Sequence, residues 1–199
     1  MARLESRADA PDAGQPLTPT IPGDRVRLRG FEELDVGAVF EAAQDPGVRL
    51  LTGLEADQSS AQRYVARQEL RSQRGLGHSW AIVDAARGYA VGQIGMWTRA
   101  TAPDGRTGYM EEAHGRAALG YWVKPGARSQ GFATAALQAA SEWALSQPDI
   151  ERLELFVEPS NGASLRVALG AGYQREGLLR SYQRIGHERR DMIVLARLS

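Results

Sequence analysis

The chain contains no cysteine, and that one absence removes disulfides, thiol nucleophiles and thiolate metal sites together. Histidine is scarce. His78, His114 and His187 stand far apart without ligand spacing, so no resident metal is expected. Lysine is nearly missing: Lys124 is the only one, and the basic side is otherwise arginine. Neither sign of charge dominates, because 24 basic and 24 acidic residues leave a formal net charge of zero. Bulk charge therefore gives no sign of a nucleic-acid or membrane-surface binder. Residues 1–23 are rich in Ala, Asp, Pro and Thr and lack an apolar run, unlike a secretory signal or a membrane span. The expectation is a mobile tail at residues 1–22 of a cytoplasmic protein, followed by one domain at 23–199.

What is present is the composition of an ordinary globular domain, 199 residues long and 43% hydrophobic. Val26 and Leu28 alternate with polar neighbours and predict a first strand over residues 25–29. Helical spacing follows over 34–44, stopped by Asp45-Pro46-Gly47, and again from Ser59 or Ser60 to about Gln73. Strands are predicted at 80–84 and 89–97 around an Arg87-Gly88 turn, then a loop over 98–113 holding Pro103-Asp104-Gly105. A strand at 117–123 precedes a helix that begins at Gln130 or Gly131 and reaches about Gln147. A strand at 152–157, a short helix capped by Asn161, and strands at 173–184 and 192–198 close the chain. This order predicts a mixed α+β sheet covered by helices.

The sharpest local feature is Tyr121-Trp122-Val123-Lys124-Pro125-Gly126-Ala127 running into Arg128-Ser129-Gln130-Gly131-Phe132-Ala133-Thr134. It reads as a strand that ends in a glycine turn and opens a helix. The first N–H groups of such a helix have no intrahelical partner, and with the helix dipole they form a seat for phosphate. A nucleoside-triphosphate loop needs Lys and a hydroxyl residue after its last glycine, but Phe132 and Ala133 stand there. A dinucleotide fingerprint needs another spacing and another position. Arg128-x-x-Gly131-x-Ala133 satisfies the pyrophosphate turn of acyl-coenzyme-A transferases. An ordinary turn whose glycine relieves strain satisfies it equally.

Further pieces follow in order: Leu119-Gly120 ahead of the turn, then Asn161-x-x-Ser164-x-x-Val167, Gly172-Tyr173, Glu176-Gly177 and Gly186-His187-Glu188-Arg189-Arg190-Asp191. On these motifs the chain resembles the GNAT superfamily of N-acyltransferases from about Arg25 to its end. Within it, the chain is most similar to the RimJ/RimL-like branch, which acetylates ribosomal-protein N-termini. The resemblance implies an α+β fold with a mixed, mostly antiparallel sheet splayed between the fourth and fifth strands. It implies acetyl-CoA in that gap, its pantetheine arm paired with backbone groups near Trp122 and Val123. The pyrophosphate would lie over the amides of Ser129, Gln130, Gly131, Phe132, Ala133 and Thr134, with Arg128 adding charge. Asn161 is a candidate contact for the CoA arm and also an ordinary N-cap. Ser164 occupies the place where that branch carries a serine acid; first-turn capping is its plainer role. Ala168 stands where many relatives have a tyrosine, and Gln183 where some branch members have a glutamate base.

The expected reaction is direct transfer of an acetyl group from acetyl-CoA to a primary amine in a ternary complex. A site without a strong base suits a protein N-terminal amine (pKa about 7.7–8.0) better than a lysine (about 10.4). Glu111, Glu112 and His114 are candidate bases acting through water, with solvated loop residues the plainer reading. Leu51, Leu54, Trp80, Trp97 and Tyr182 are either cleft or core, and Arg184, Arg189 and Arg190 either meet an acidic acceptor or are simply exposed. Succinyl- or other acyl-CoA transfer, a small antibiotic-like amine acceptor, and a non-catalytic CoA-binding regulatory module are the alternatives. The expected partners are acetyl-CoA and an amine acceptor, with no nucleic acid, membrane or metal. A homodimer is the candidate assembly.

Overall fold

The computed structural model describes residues 18–74, 76–98 and 115–199. β1 (Val26–Arg29) leads through a 3-10 turn (Glu33–Asp35) into α1 (Val36–Ala42), α2 (Pro46–Thr52) and α3 (Gln58–Gln73). Three strands follow, β2 (Gly77–Asp84), β3 (Ala90–Trp97) and β4 (Arg116–Val123), then a 3-10 turn (Pro125–Ala127) and α4 (Phe132–Leu145). β5 (Arg152–Val157), α5 (Gly162–Gly170), β6 (Gln174–Ile185) and β7 (Glu188–Leu198) complete the order. The seven strands lie β1-β2-β3-β4-β5-β7-β6. Every neighbouring pair is antiparallel except β4 and β5, which run parallel.

That parallel pair decides the site. β4 and β5 are in register only at Arg116–Arg152, Ala117–Leu153 and Ala118–Glu154. Beyond Ala118 and Glu154 they part, so the splay expected between the fourth and fifth strands is present. On one face of the sheet, Trp80, Ile82, Ile94, Met96 and Leu119 meet Ala136, Leu137, Ala140 and Ala144 of α4. The alanines let that helix lie close to the sheet, and each large side chain buried there contributes roughly 1.5–3 kcal/mol. The other face carries a second cluster in which Val39, Ala42, Val48, Leu54, Ala61 and Tyr64 enclose Trp122.

Two expectations need correction. Asp45-Pro46-Gly47 does end α1, yet the same residues start α2. Asp45 Oδ1 accepts the Val48 N–H at 3.0 Å, and Pro46 takes the first helical position, where a missing N–H costs nothing. Residues 18–21, assigned to the tail, are packed on the body. Ile21 exchanges two backbone hydrogen bonds with Leu28, 2.8 and 2.9 Å long, and the Pro19 carbonyl accepts from Trp80 Nε1 at 2.8 Å. The rest of the expected tail, residues 1–17, lies outside the described residues, as do Pro103, Asp104, Gly105, Glu111, Glu112 and His114.

Candidate active site

The turn after β4 is held by unusual backbone angles, with φ of 59° at Ser129 and 80° at Gly131. Gly131 is the N-cap of α4, and Ala135 is the first residue whose N–H bonds back, to the Gly131 carbonyl at 3.1 Å. The N–H groups of residues 129–134 find no acceptor among the described residues. Six unbonded donors therefore stand at and just before the positive end of a 14-residue helix.

Arg128 is committed elsewhere. Its Nε donates to the Val123 carbonyl at 3.1 Å and its Nη1 pairs with Asp45 at 2.8 Å. It thereby clips the turn to the end of β4 and to α2, and it holds the Asp45 carboxyl below its usual range. A second cation stands at the turn. Arg25 Nη1 donates to the Gln130 carbonyl at 2.8 Å, and the same side chain passes 3.7–3.8 Å from where a Cβ on Gly131 would lie. No local motif marks Arg25, because 105 residues separate it from its partner.

Strand alternation fixes which main-chain groups face the gap. Lys124 N donates to the Val91 carbonyl at 2.9 Å, so in this antiparallel ladder the next hydrogen-bonded pair is Gln93 with Trp122. The N–H and C=O of Trp122 are thus spent on β3, while those of Tyr121 and Val123 point to the edge that β5 has left. Of the pair named from the sequence, Val123 offers its N–H to the gap while its carbonyl accepts from Arg128 Nε, and Tyr121 joins it. The Trp122 side chain is core, with Nε1 donating to Tyr64 Oη at 3.1 Å.

Across the gap stands the first turn of α5. Asn161 Oδ1 caps it by accepting the Ser164 N–H at 3.0 Å. The capping role is therefore filled, and the Ser164 hydroxyl bonds to no described residue. Tyr121 Oη donates to the Ser164 carbonyl at 3.3 Å, which ties β4 to α5 over the gap. Burial pushes the Tyr121 phenol up, so it stays a donor at neutral pH. Ala168, one turn further on, is fully buried core.

The opposite face of the gap is lined differently. Trp97, Ala118 and Glu154 are successive partners across β3, β4 and β5, so Trp97 and, by alternation, Phe156 share that face. Phe156 stacks on Tyr182 with centroids 5.0 Å apart and planes at 21°. A bulge between Leu179 and Gln183 sets up this stack, with Ser181 at φ 50° and its N–H bonded to Asp191 Oδ1 at 2.7 Å. Trp80 and Leu54 are core, whereas Leu51 is exposed. Arg190 pairs with Glu188 at 2.6 Å, and Arg189 Nη1 donates to the Ser181 carbonyl at 2.9 Å. Among the described residues no cluster of His, Asp and Glu is disposed to hold a metal. No helix there is long and apolar enough to cross a membrane.

Residues 25–174 match the family described as acetyltransferase (GNAT) domain. The chain belongs to the GNAT acetyltransferase family. The GNAT chain is 28% identical over 168 residues to the N-acetyltransferase YoaA of Bacillus subtilis (strain 168), covering 83% of this chain and 89% of YoaA. Its fold is that of Mycobacterium smegmatis RimJ in complex with CoA-disulfide (TM-score 0.74, 22% identity, 91% of this chain and 88% of that one). It is equally that of RimL, a ribosomal L7/L12 alpha-N-protein acetyltransferase, in complex with coenzyme A (TM-score 0.71, 22% identity, 90% and 98%).

Within this GNAT domain, then, the turn amides, Val123, Asn161 and Ser164 border one gap. Trp122 does not offer its backbone there, and Arg128 braces the turn against the Val123 carbonyl and Asp45. Arg25 at the turn and Tyr121 at the open edge were not named as candidates from the sequence. Tyr121 lay inside the quoted motif, and its odd position beside an even Trp122 was the available signal.

Proposed function

We propose that this GNAT domain moves an acetyl group from acetyl-CoA to a primary amine, with a protein N-terminal α-amino group as the favoured acceptor. The observation that carries the reading is the β4–β5 gap, bounded at one end by six unbonded amides. A diphosphate at those amides, with Arg25 beside it, leaves the pantetheine arm to pair along Tyr121 and Val123. The fold shared with RimJ and RimL, both solved with CoA groups, supports this placement.

The amine nitrogen attacks the thioester carbonyl carbon, the C–S bond breaks, and the thiolate takes up a proton. An N–H of the open β4 edge stabilises the oxyanion; such a donor is worth about 100- to 1,000-fold in rate. Holding amine and thioester together supplies roughly 7–11 kcal/mol. Ser164 passes the proton to the thiolate, since its hydroxyl is not used for capping. Asn161 both caps α5 and meets the CoA arm. The side chain at Gln183 is neutral, so the amine must arrive deprotonated or lose its proton to water, which favours an acceptor of low pKa.

The test is thiol release from acetyl-CoA against peptides with free N-termini, the same peptides blocked at the N-terminus but carrying lysine, and small amines. Release with the free N-termini, and little with the blocked set, is the expected result. Saturable CoA binding with no release from any acceptor refutes it in favour of a non-catalytic CoA-binding module.

A further inference from the structure

Arg71, on α3, carries a charge that no described residue neutralises. Its guanidinium has no hydrogen bond or ion pair with any described residue, and Nη1 is buried without a partner. The group lies over the Trp97 ring, with Cζ 4.6 Å from the centroid. Nη1 comes within 2.6 Å of the point a Cβ on Gly95 would occupy, and the Trp97 ring within 3.2 Å of the same point on Gly120. Gly95 and Gly120 are partners across β3 and β4. Together they form a floor low enough for the arginine–tryptophan stack, and a side chain at Gly95 would evict the guanidinium.

Among the described residues the surroundings supply no counter-charge. Beside the stack runs a neutral buried chain: Gln68 Nε2 donates to the Tyr64 carbonyl, Ser79 Oγ to Gln68 Oε1, and Gln93 Nε2 to Ser79 Oγ. Burial chiefly pulls the Arg71 guanidinium below its ordinary range, with Arg67 pulling the same way and Tyr64 opposing. An ion held unpaired in a half-buried place is expensive, and removing only its partner is the costly state. Stacking on an indole offsets part of that cost but uses none of the five N–H donors of the fork.

The sheet position says where a counter-charge would come from. Gly120 lies two residues past Ala118, the last β4 residue paired with β5. The stack therefore borders the gap on the α3 face, with the Phe156–Tyr182 stack on the same face beyond it. We propose that Arg71 receives a carboxylate carried by one of the two substrates, either on the amine acceptor or on the acyl chain of the donor. This rests on the transferase reading for the identity of those substrates, and on the orphaned guanidinium for its chemistry.

Binding is measured by calorimetry, apart from turnover, with two matched pairs. One pair is a free-N-terminal peptide with acidic second and third residues and its amide twin, added to the CoA-saturated protein. The other is succinyl-CoA and acetyl-CoA. The carboxylate-bearing member of one pair should bind about 10- to 100-fold tighter to the wild type. That advantage should fall to about twofold or less in Arg71→Gln. Arg71→Met, which keeps the buried stem, serves if Arg71→Gln does not fold. The pair that responds names the source of the carboxylate. Equal affinities within both pairs, or an advantage that survives the loss of Arg71, overturn the proposal. A preference lost with Arg71 in a protein that releases no thiol upholds this site while refuting the transferase reading.

Discussion

Replacing Gly131 by Asp and, separately, by Asn isolates the charge of the phosphate seat from its shape. Gly131 has φ 80°, a region costing an ordinary L residue roughly 1–2 kcal/mol and Asn or Asp somewhat less. Space is not the obstacle, because the new Cβ meets only Arg25 at 3.7–3.8 Å. Both variants should therefore lose about 1 kcal/mol of stability, a drop of about 2–4 °C in Tm at this chain length. They should differ in CoA binding. A carboxylate at this position enters the set of six amides and stands beside the Arg25 guanidinium. It competes for both and repels the diphosphate. At about 5 Å and an effective dielectric of about 20, one pair of like charges costs about 3 kcal/mol. Solvent at this open turn reduces that to about 1.5–3 kcal/mol, or about 10- to 100-fold in Kd. Calorimetry with CoA should show Gly131→Asn within about fivefold of wild type. Gly131→Asp should be weaker by the further 10- to 100-fold, about, with the difference shrinking at high salt. Equal CoA affinity for the two variants would refute the reasoning, since the amides of residues 129–134 would then not face a phosphate.

Ser164→Ala should lower turnover by about 100-fold or more and leave CoA affinity and Tm nearly unchanged, because Asn161 supplies the cap; stopped thiol-release assays and a CoA titration read the two effects separately. Arg25→Gln should weaken CoA about 5- to 10-fold at low salt, and the deficit should fade as salt rises, which a salt series in the same titration measures. Asp45→Asn keeps a good N-cap for α2 but loses the charge that meets Arg128. The Asp45 carboxyl titrates below its ordinary value, so its contribution is complete above that value and disappears as pH falls through the lowered one. Urea melts should show the wild type more stable by under about 1 kcal/mol near neutrality, with the two proteins converging once the pH has fallen below the lowered Asp45 value. A difference that persists in acid would mean that the ion pair is not its source.

The parts legible in the sequence were those encoded locally. Alternation in Arg152–Val157, glycine at the start of α4 and Asn161 before α5 each lie within a few residues of what they determine. What the sequence left open had other causes. Pro46 is both the end of one helix and the best first residue of the next, and only packing decides that two helices share so short a joint. Whether Trp122 or its neighbours face the gap depends on parity against β3, and parity is unknown until the register with Gln93 is known. Arg25 precedes β1 and meets a turn 105 residues later in the chain, so nothing near it in sequence announces the contact. Arg71 is harder still, since its meaning lies in a partner it lacks.

Topology explains why so little side-chain identity is needed. β4 and β5 run parallel, so the chain must cross between them, and it does so through α4. That crossover sets the N-terminus of α4 at the end of β4 where the two strands have already parted. Two sets of unpaired main-chain donors, one from the open edge of β4 and one from the helix start, therefore face a common space. Neither set can be satisfied inside the fold without closing the other. The proposed ligand answers both, with a diphosphate at the helix end and an amide-bearing arm along the strand. Such a site constrains a few backbone angles, above all the positive φ values of Ser129 and Gly131. Proteins only 22% identical to this chain accordingly keep its fold at a TM-score of 0.74. The α3 face of the gap, where Arg71, Trp97 and the Phe156–Tyr182 stack lie, is built from side chains rather than from the backbone.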